Sequence, residues 1–187
     1  MSVPPRFARP DVRFHASVLD AIHEYHAEGR HAELEAEAFA DREEFRRYCA
    51  AVNAGVERPG EPDFYLARLR GTPPPGEWVD GYVPQTVLWW VAGDDFIGRL
   101  SIRHRRTPHL LHHGGNIGFE VRPSRRREGH ATAMLAAALP LAAELGIDPA
   151  RLDCEAGNAA SRRVIEKNGG VFDEERAGSL YFWVPTR

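Results

Sequence analysis

Residues Arg125 to Leu135 read "RRREGHATAML", three arginines and a glycine set directly before a run of small and apolar residues. Positive charge ahead of a helix start has two explanations. One is an anion, because a helix N-terminus offers N–H groups without intrahelical partners and a partial positive charge. The other is a solvated basic loop, the commoner use of such charge. Context favours the anion. The preceding "GNIGFEVRP" alternates Ile117, Phe119 and Val121 with Gly118, Glu120 and Arg122, the period of a strand that Pro123 ends. The following stripe of Ala131, Met134, Leu135, Ala138, Ala142 and Leu145 is one apolar helix face, closed by Gly146. Strand, basic turn and helix make a phosphate cradle: Gly129 permits close backbone approach, and His130, Ala131 and Thr132 aim N–H groups at an oxyanion. The cradle carries neither G-x-G-x-x-G nor G-x-x-x-x-G-K-[ST], so a dinucleotide-binding or P-loop reading lacks support.

Other reactive residue types lead nowhere as firm. "RHRRTPHLLHH" holds His104, His109, His112 and His113, but no acid or cysteine stands at metal-ligand spacing. Cys49 and Cys154 are far apart, which suits a reduced compartment. Arg99, Arg103, Arg105 and Arg106 crowd the same region, yet the net charge is −3 and no nucleic-acid reader motif accompanies them. The sequence therefore predicts no metal and no nucleic acid. No apolar stretch has the length of a membrane span, and "MSVPPRFARPDVRF" lacks a signal-peptide core; the expectation is a cytoplasmic protein without membrane attachment.

With 187 residues, 43% of them apolar and 27% charged, the chain is expected to form a single domain with a real core, residues 1–187. "DVRFHASVLDAIHEYHAEG" spaces Phe14, Val18, Ile22 and Tyr25 as a helix that stops at Gly29. "DREEFRRYCAAVNAG" opens on an N-cap, Asp41, with Glu44 three residues on, and closes at Gly55. A Pro- and Gly-broken connection follows, with one short helical piece near Asp63 to Leu69. From Gln85 the pattern turns to strands: "TVLWWVAGDDFIGRLSIRH" is a hairpin about Gly93-Asp94-Asp95. Trp89, Trp90, Phe96 and Trp183 read as core or sheet-face residues, one of them lining an acceptor pocket being the alternative. "ARLDCEA" is a short strand, "NAASRRVIEKNGG" a helix and "SLYFWVP" a last strand. The order predicts an α/β (α+β) protein with a mixed, mostly antiparallel sheet flanked by helices. Pro140 falls inside the long helix, where it removes a hydrogen bond to the Ala136 carbonyl and is expected to kink it, at a cost of about 3 kcal/mol.

Arg126, Gly129 and Ala131 match the [RQ]-x-x-G-x-[GA] pattern that joins a strand to a helix in the GNAT N-acetyltransferase superfamily. Order and spacing sharpen the match: "FIGRLSIRH" and "NIGFEVRP" resemble that fold's third and fourth strands. Asn158, Ser161, Lys167 and Gly169 resemble its second cofactor motif. "IGRLSIRH" and "IEKNGGV" are similar to segments of a bacterial acetyltransferase branch. The resemblance covers residues 85–175 well and residues 1–84 loosely, so it implies an acetyl-CoA-binding core at 85–187 behind N-terminal helices and an acceptor-side loop. It implies acetyl-CoA as co-substrate, its pyrophosphate over Arg126, Arg127, Gly129, His130, Ala131 and Thr132. The pantetheine arm is expected beside Phe119 and Val121, where the fourth strand splays from the fifth, with Asn158 contributing from the second motif. Gly118 fits either a bulge there or simple relief of crowding.

Acetyl transfer to an amine needs a neutral nucleophile, and a lysine-like amine with pKa near 10.4 pays about 4.6 kcal/mol at pH 7 to lose its proton, from roughly 3.4 units at about 1.36 each. Glu120 is the leading base; a solvent-facing carboxylate paired with Arg122 or Arg103 is the alternative, and His112, His113 and Asn116 are weaker candidates. A backbone N–H near Phe119 to Val121 is expected to meet the oxyanion. The thiolate acid is a tyrosine in many relatives; Ile165 stands in its place, so Ser161 is the substitute unless its hydroxyl merely bonds the backbone. The expected acceptor is a small-molecule or peptide amine, in a site shaped by the N-terminal helices and the Pro-rich segment around Thr72–Gly76. A homodimer is left open. The rival from another class is a non-catalytic acyl-CoA-binding module.

Overall fold

The computed structural model describes residues 3–32, 34–54, 56–57, 83–105 and 115–187. The expected helical piece at Asp63 to Leu69, the Thr72–Gly76 segment, Arg106 and the histidines His109, His112 and His113 lie outside the described residues.

The N-terminal helices form where their caps and apolar spacing predict. Asp11 caps a 3₁₀ turn that leads into α1, His15–Ala27, whose Val18, Ala21, Ile22 and Tyr25 are buried. After α2, Ala36–Ala40, the Asp41 carboxylate accepts the N–H groups of Glu43 and Glu44 at 2.7 and 3.1 Å and starts α3, Arg42–Asn53. Glu44 itself pairs with Arg47.

β1 is Arg6–Ala8 and β2 Val56–Glu57; both pair with β3, Val83–Ala92. β3 turns at Gly93, φ +61°, into β4, Asp95–Arg103, which pairs with β5, Ile117–Val121. The bulge in this sheet falls between Trp90 and Val91, whereas Gly118 sits in regular register opposite Ser101. A second sheet holds β6, Ala150–Glu155, then β8, Ser179–Val184, then β7, Val171–Arg176. All pairs described within both sheets are antiparallel. Between β5 and β6 lies α4, His130–Glu144, and between β6 and β7 lies α5, Ala159–Lys167. Each ends in the same way: the Gly146 and Gly169 amides reach back to Ala143 and Glu166, and the next amides to Ala142 and Ile165. α4 continues through Pro140; Pro140 and Ala136 are both exposed, so water can take the carbonyl that proline leaves unbonded. Among the described residues, no helix is long and apolar enough to cross a membrane.

The first sheet separates two cores. One face packs Leu100, Ile102, Ile117 and Val121 against Met134, Leu135 and Ala138 of α4. The other packs Trp89, Val91 and Phe96 against Phe14, Ile22 and Phe45. Side-chain alternation along β5 thus sends Phe119 toward α4 and Glu120 toward α1.

β5 and β6 sit in different sheets yet are pinned at one point. The Asn116 N–H donates to the Arg151 carbonyl at 2.6 Å, and the Asn116 carboxamide oxygen accepts the Arg151 N–H at 2.9 Å. Beyond this staple, among the described residues, no ladder joins the two strands, so they part as the sequence leads one to expect. Asn116 is 3% exposed, which makes it a structural clasp. Asn116→Ala leaves a buried amide unpaired and should destabilise the fold by about 1–3 kcal/mol in chemical denaturation.

Candidate active site

The parting of β5 from β6 opens a cleft of about 590 Å³. One wall is Phe119, Glu120 and Val121 of β5, the floor is the turn and first residues of α4, and α5 closes the far side with Ser161, Arg163 and Lys167. Arg126, Arg127, Gly129, His130, Ala131 and Thr132 all line it. Asn158 does not: its side chain caps α5, accepting the Ser161 N–H at 3.0 Å. Ser161 itself faces the cleft.

At the floor, Gly129 adopts φ +83° as the N-cap of α4 and offers no side chain to its first turn. The first amide of the helix to find an acceptor is that of Ala133, on the Gly129 carbonyl. Among the described residues the N–H groups of His130, Ala131 and Thr132 therefore stand unpaired at the cleft, with the partial positive charge of a fifteen-residue helix behind them.

The arginines divide by role. Arg125 pairs with Asp95 and, at 3.2 Å, with Glu128. Arg126 donates Nε to the Val121 carbonyl at 3.1 Å and Nη1 to Glu28 at 2.8 Å, while its buried Nη2 has no partner among the described residues. Arg127, Arg163 and Lys167 make no ion pair among the described residues, so they are the charge left for a ligand. Glu128, the acid nearest the cradle, is held below the usual carboxylate range by hydrogen bonds from His130 and Arg125.

The wall is prepared as well. The bonds Arg122 N–H to Ile97 and Arg103 N–H to Asn116 turn the even-numbered backbone groups of β5 toward β4. Ile117, Phe119 and Val121 then face the gap, and Phe119 keeps both its N–H and its C=O on that side. A Cβ on Gly129 would meet nothing within 4 Å. The floor thus suits a diphosphate and the wall an extended amide-bearing chain.

Glu120 stands where wall and α1 meet. Its partners are Arg30, 2.7 Å from Oε1, and His31, whose Nε2 lies 2.8 Å from Oε2, and not the Arg122 or Arg103 of the alternative reading. Burial pushes its carboxyl up, but the His31 hydrogen bond and the charges of His31, Arg30 and Arg99 outweigh it, and the net direction is down. Sequence reading missed Arg30 and His31. The one local sign is Gly29, which ends α1 just before them; His31 has φ +54° and its ring packs edge-on to Tyr25 at 5.0 Å. His104, from the histidine-rich stretch, is taken by the Thr86 hydroxyl at 2.9 Å.

A model of the GNAT acetyltransferase domain matches residues 19–171. The chain belongs to the GNAT acetyltransferase family. Solved structures share the fold of this GNAT domain at low identity. A putative acetyltransferase from Salmonella typhimurium, yncA, with its cofactor acetyl-CoA, is 15% identical over 98% of this chain and 94% of its own, with a TM-score of 0.54. RimL, a ribosomal L7/L12 alpha-N-protein acetyltransferase in complex with coenzyme A, is 16% identical over 98% and 96%, TM-score 0.56. The PaiA N-acetyltransferase of Thermoplasma acidophilum, in complex with coenzyme A, is 11% identical over 97% and 99%, TM-score 0.54. Comparison with curated proteins finds no significant sequence match.

In this GNAT domain the basic turn is held from behind by Arg122, 7% exposed. Its guanidinium reaches Glu24 of α1 at 2.6 Å, the Phe96 carbonyl at 3.2 Å and the Ser17 hydroxyl at 3.1 Å. Glu24 also accepts the Ser124 N–H at 3.0 Å. Burial raises the Glu24 carboxyl, yet the Arg122 and Ser124 hydrogen bonds bring it down from 4.5 to about 2. A carboxyl depressed in the folded state stabilises above its unfolded pKa and loses that contribution as pH falls through the folded one. Wild type should exceed Glu24→Gln in stability above pH 4.5, and the gap should close toward pH 2, as read from urea midpoints across that window.

Proposed function

We propose that this chain transfers an acetyl group from acetyl-CoA to a primary amine by direct attack on the thioester. The observation that carries the reading is the cleft floor: an uncapped α4 start at Gly129, with Arg127, Arg163 and Lys167 unpaired around it among the described residues. That combination suits a diphosphate, which the amides of His130, Ala131 and Thr132 would hold by hydrogen bonds and the cations by charge. Arg126 would tie the end of β5 to Glu28 through its Nε and Nη1 and offer its Nη2 to the ligand. The backbone edge of Phe119 and the Val121 N–H, turned away from β4, support a pantetheine arm laid along β5, and an N–H on that edge the oxyanion donor.

Glu120 would draw the proton from the acceptor ammonium, directly or through water, with Arg30 and His31 fixing its orientation. As a carboxylate held low it accepts that proton only in passing, so it serves best an amine that is itself weakly basic. Ser161 would meet the departing thiolate; the Ile165 that stands in place of a tyrosine is fully buried and cannot donate. A thiol pKa near 8.5 lets the thiolate leave with little help.

Two variants test the division of labour in a thiol-release assay with an amine panel. Gly129→Leu forces a branched residue into the left-handed region and sets its side chain in the diphosphate's place. It should weaken coenzyme A binding at least ten-fold in calorimetry; unchanged affinity overturns the cradle. Glu120→Gln should lower kcat by about 100-fold or more while coenzyme A binding persists. Binding without transfer to any amine by the wild type would instead support an acyl-CoA-binding module.

A further inference from the structure

Behind Glu120, on the α1 side of the sheet, lies a second cavity of about 40 Å³. Glu120 lines both it and the cleft, so the carboxylate marks their junction. The walls of the smaller cavity include Tyr25, Phe39, Phe45, Tyr48, Trp89 and Phe96. A closed cavity needs roughly 10–15 Å³ per water, so this one takes about three water-sized groups, the size of a valine or leucine side chain. One polar atom in the wall is unexplained. Tyr25 is 4% exposed and its hydroxyl has no hydrogen-bond partner among the described residues, a state that a buried donor rarely keeps without a ligand or water.

On the transfer reading above, we propose that the acceptor is an α-amine whose aliphatic side chain, of valine or leucine size, fills this cavity, with the amine at Glu120 and the adjacent carbonyl oxygen on the Tyr25 hydroxyl. An α-carbon carries those three groups on one atom: a nucleophile, an apolar branch and a hydrogen-bond acceptor. A lysine side chain or a polyamine offers no such branch. Arg30 and Arg99 beside Glu120 also disfavour an acceptor with a second positive charge. Amine basicity points the same way, since a peptide α-amine with pKa about 7.7–8.0 gives up its proton far more readily than a lysine at about 10.4. Free amino acids and peptide N-termini share this chemistry.

The test is kcat/KM for thiol release from acetyl-CoA with tripeptides beginning in valine, leucine or glycine, with free valine, and with spermidine. Valine and leucine peptides should exceed the glycine peptide at least ten-fold, and the ratio of peptide to free valine names the source. Ala21→Leu, which fills the cavity from α1, should abolish that advantage yet keep the glycine-peptide rate, which excludes misfolding as the cause. Tyr25→Phe should raise the valine-peptide KM about three- to ten-fold with coenzyme A affinity unchanged. Equal rates for valine and glycine peptides, or transfer to spermidine alone, overturn the cavity assignment and leave the transferase reading intact. Bound coenzyme A with no transfer to any amine overturns both.

Discussion

The parting of β5 from β6 is the constraint on which the site depends, and Asn116 sets it. A side chain that pairs with backbone on a neighbouring strand, 3% exposed, fixes where two strands touch. Beyond that point each strand takes its own partner: β4 for β5 and β8 for β6. Backbone groups in a sheet interior are almost always paired, so a strand edge left open beside a deep cleft is a device for binding.

Charge at the site is sorted with the same economy. The four arginines between Arg122 and Arg127 each act differently. Arg122 is buried on Glu24, Arg125 pairs with Asp95 and Glu128, Arg126 clamps Val121, and Arg127 is left over among the described residues. Three paired cations hold the turn rigid so that a few unpaired donors can act. An ion pair at a protein surface contributes little to stability, but Arg122 is not at the surface, and its carboxylate partner sits on a different element. The pair fixes α1 against the turn.

The strand, turn and helix around Gly129 were legible in the sequence because they are local. A strand that alternates, a proline, a basic turn and an apolar helical stripe lie close together along the chain, and the Gly129 position needs no distant partner to be read. Asp41 and Gly146 were legible for the same reason, as caps. What could not be read depends on separation along the chain. Glu120 meets Arg30 and His31 across the sheet, and nothing near Glu120 in sequence announces them. β7 escapes notice because Val171 and Phe172 are 65% and 52% exposed and Asp173 to Arg176 are charged, so it shows no alternation. The family pattern reads Asn158 as a ligand contact, whereas locally its side chain satisfies the α5 cap.

Under the proposed function, the two cores explain why donor and acceptor chemistry diverge in legibility. The α4 face of the sheet builds the cradle from contiguous chain, whereas the α1 face assembles a cavity from Tyr25, Phe39, Phe45 and Trp89, which come from four elements. A diphosphate is the same in every donor molecule, so backbone amides suffice to bind it, and amides are insensitive to side-chain identity. An acceptor must be told from other amines, and discrimination requires shape, which in turn requires side chains brought from distant positions. Glu120 belongs to both faces because it stands on the one strand that has the cleft along its edge and α1 across its face. Its depressed pKa is the electrostatic consequence of that position, and under the proposed mechanism the cations that orient it for the acceptor are also the ones that weaken it as a base.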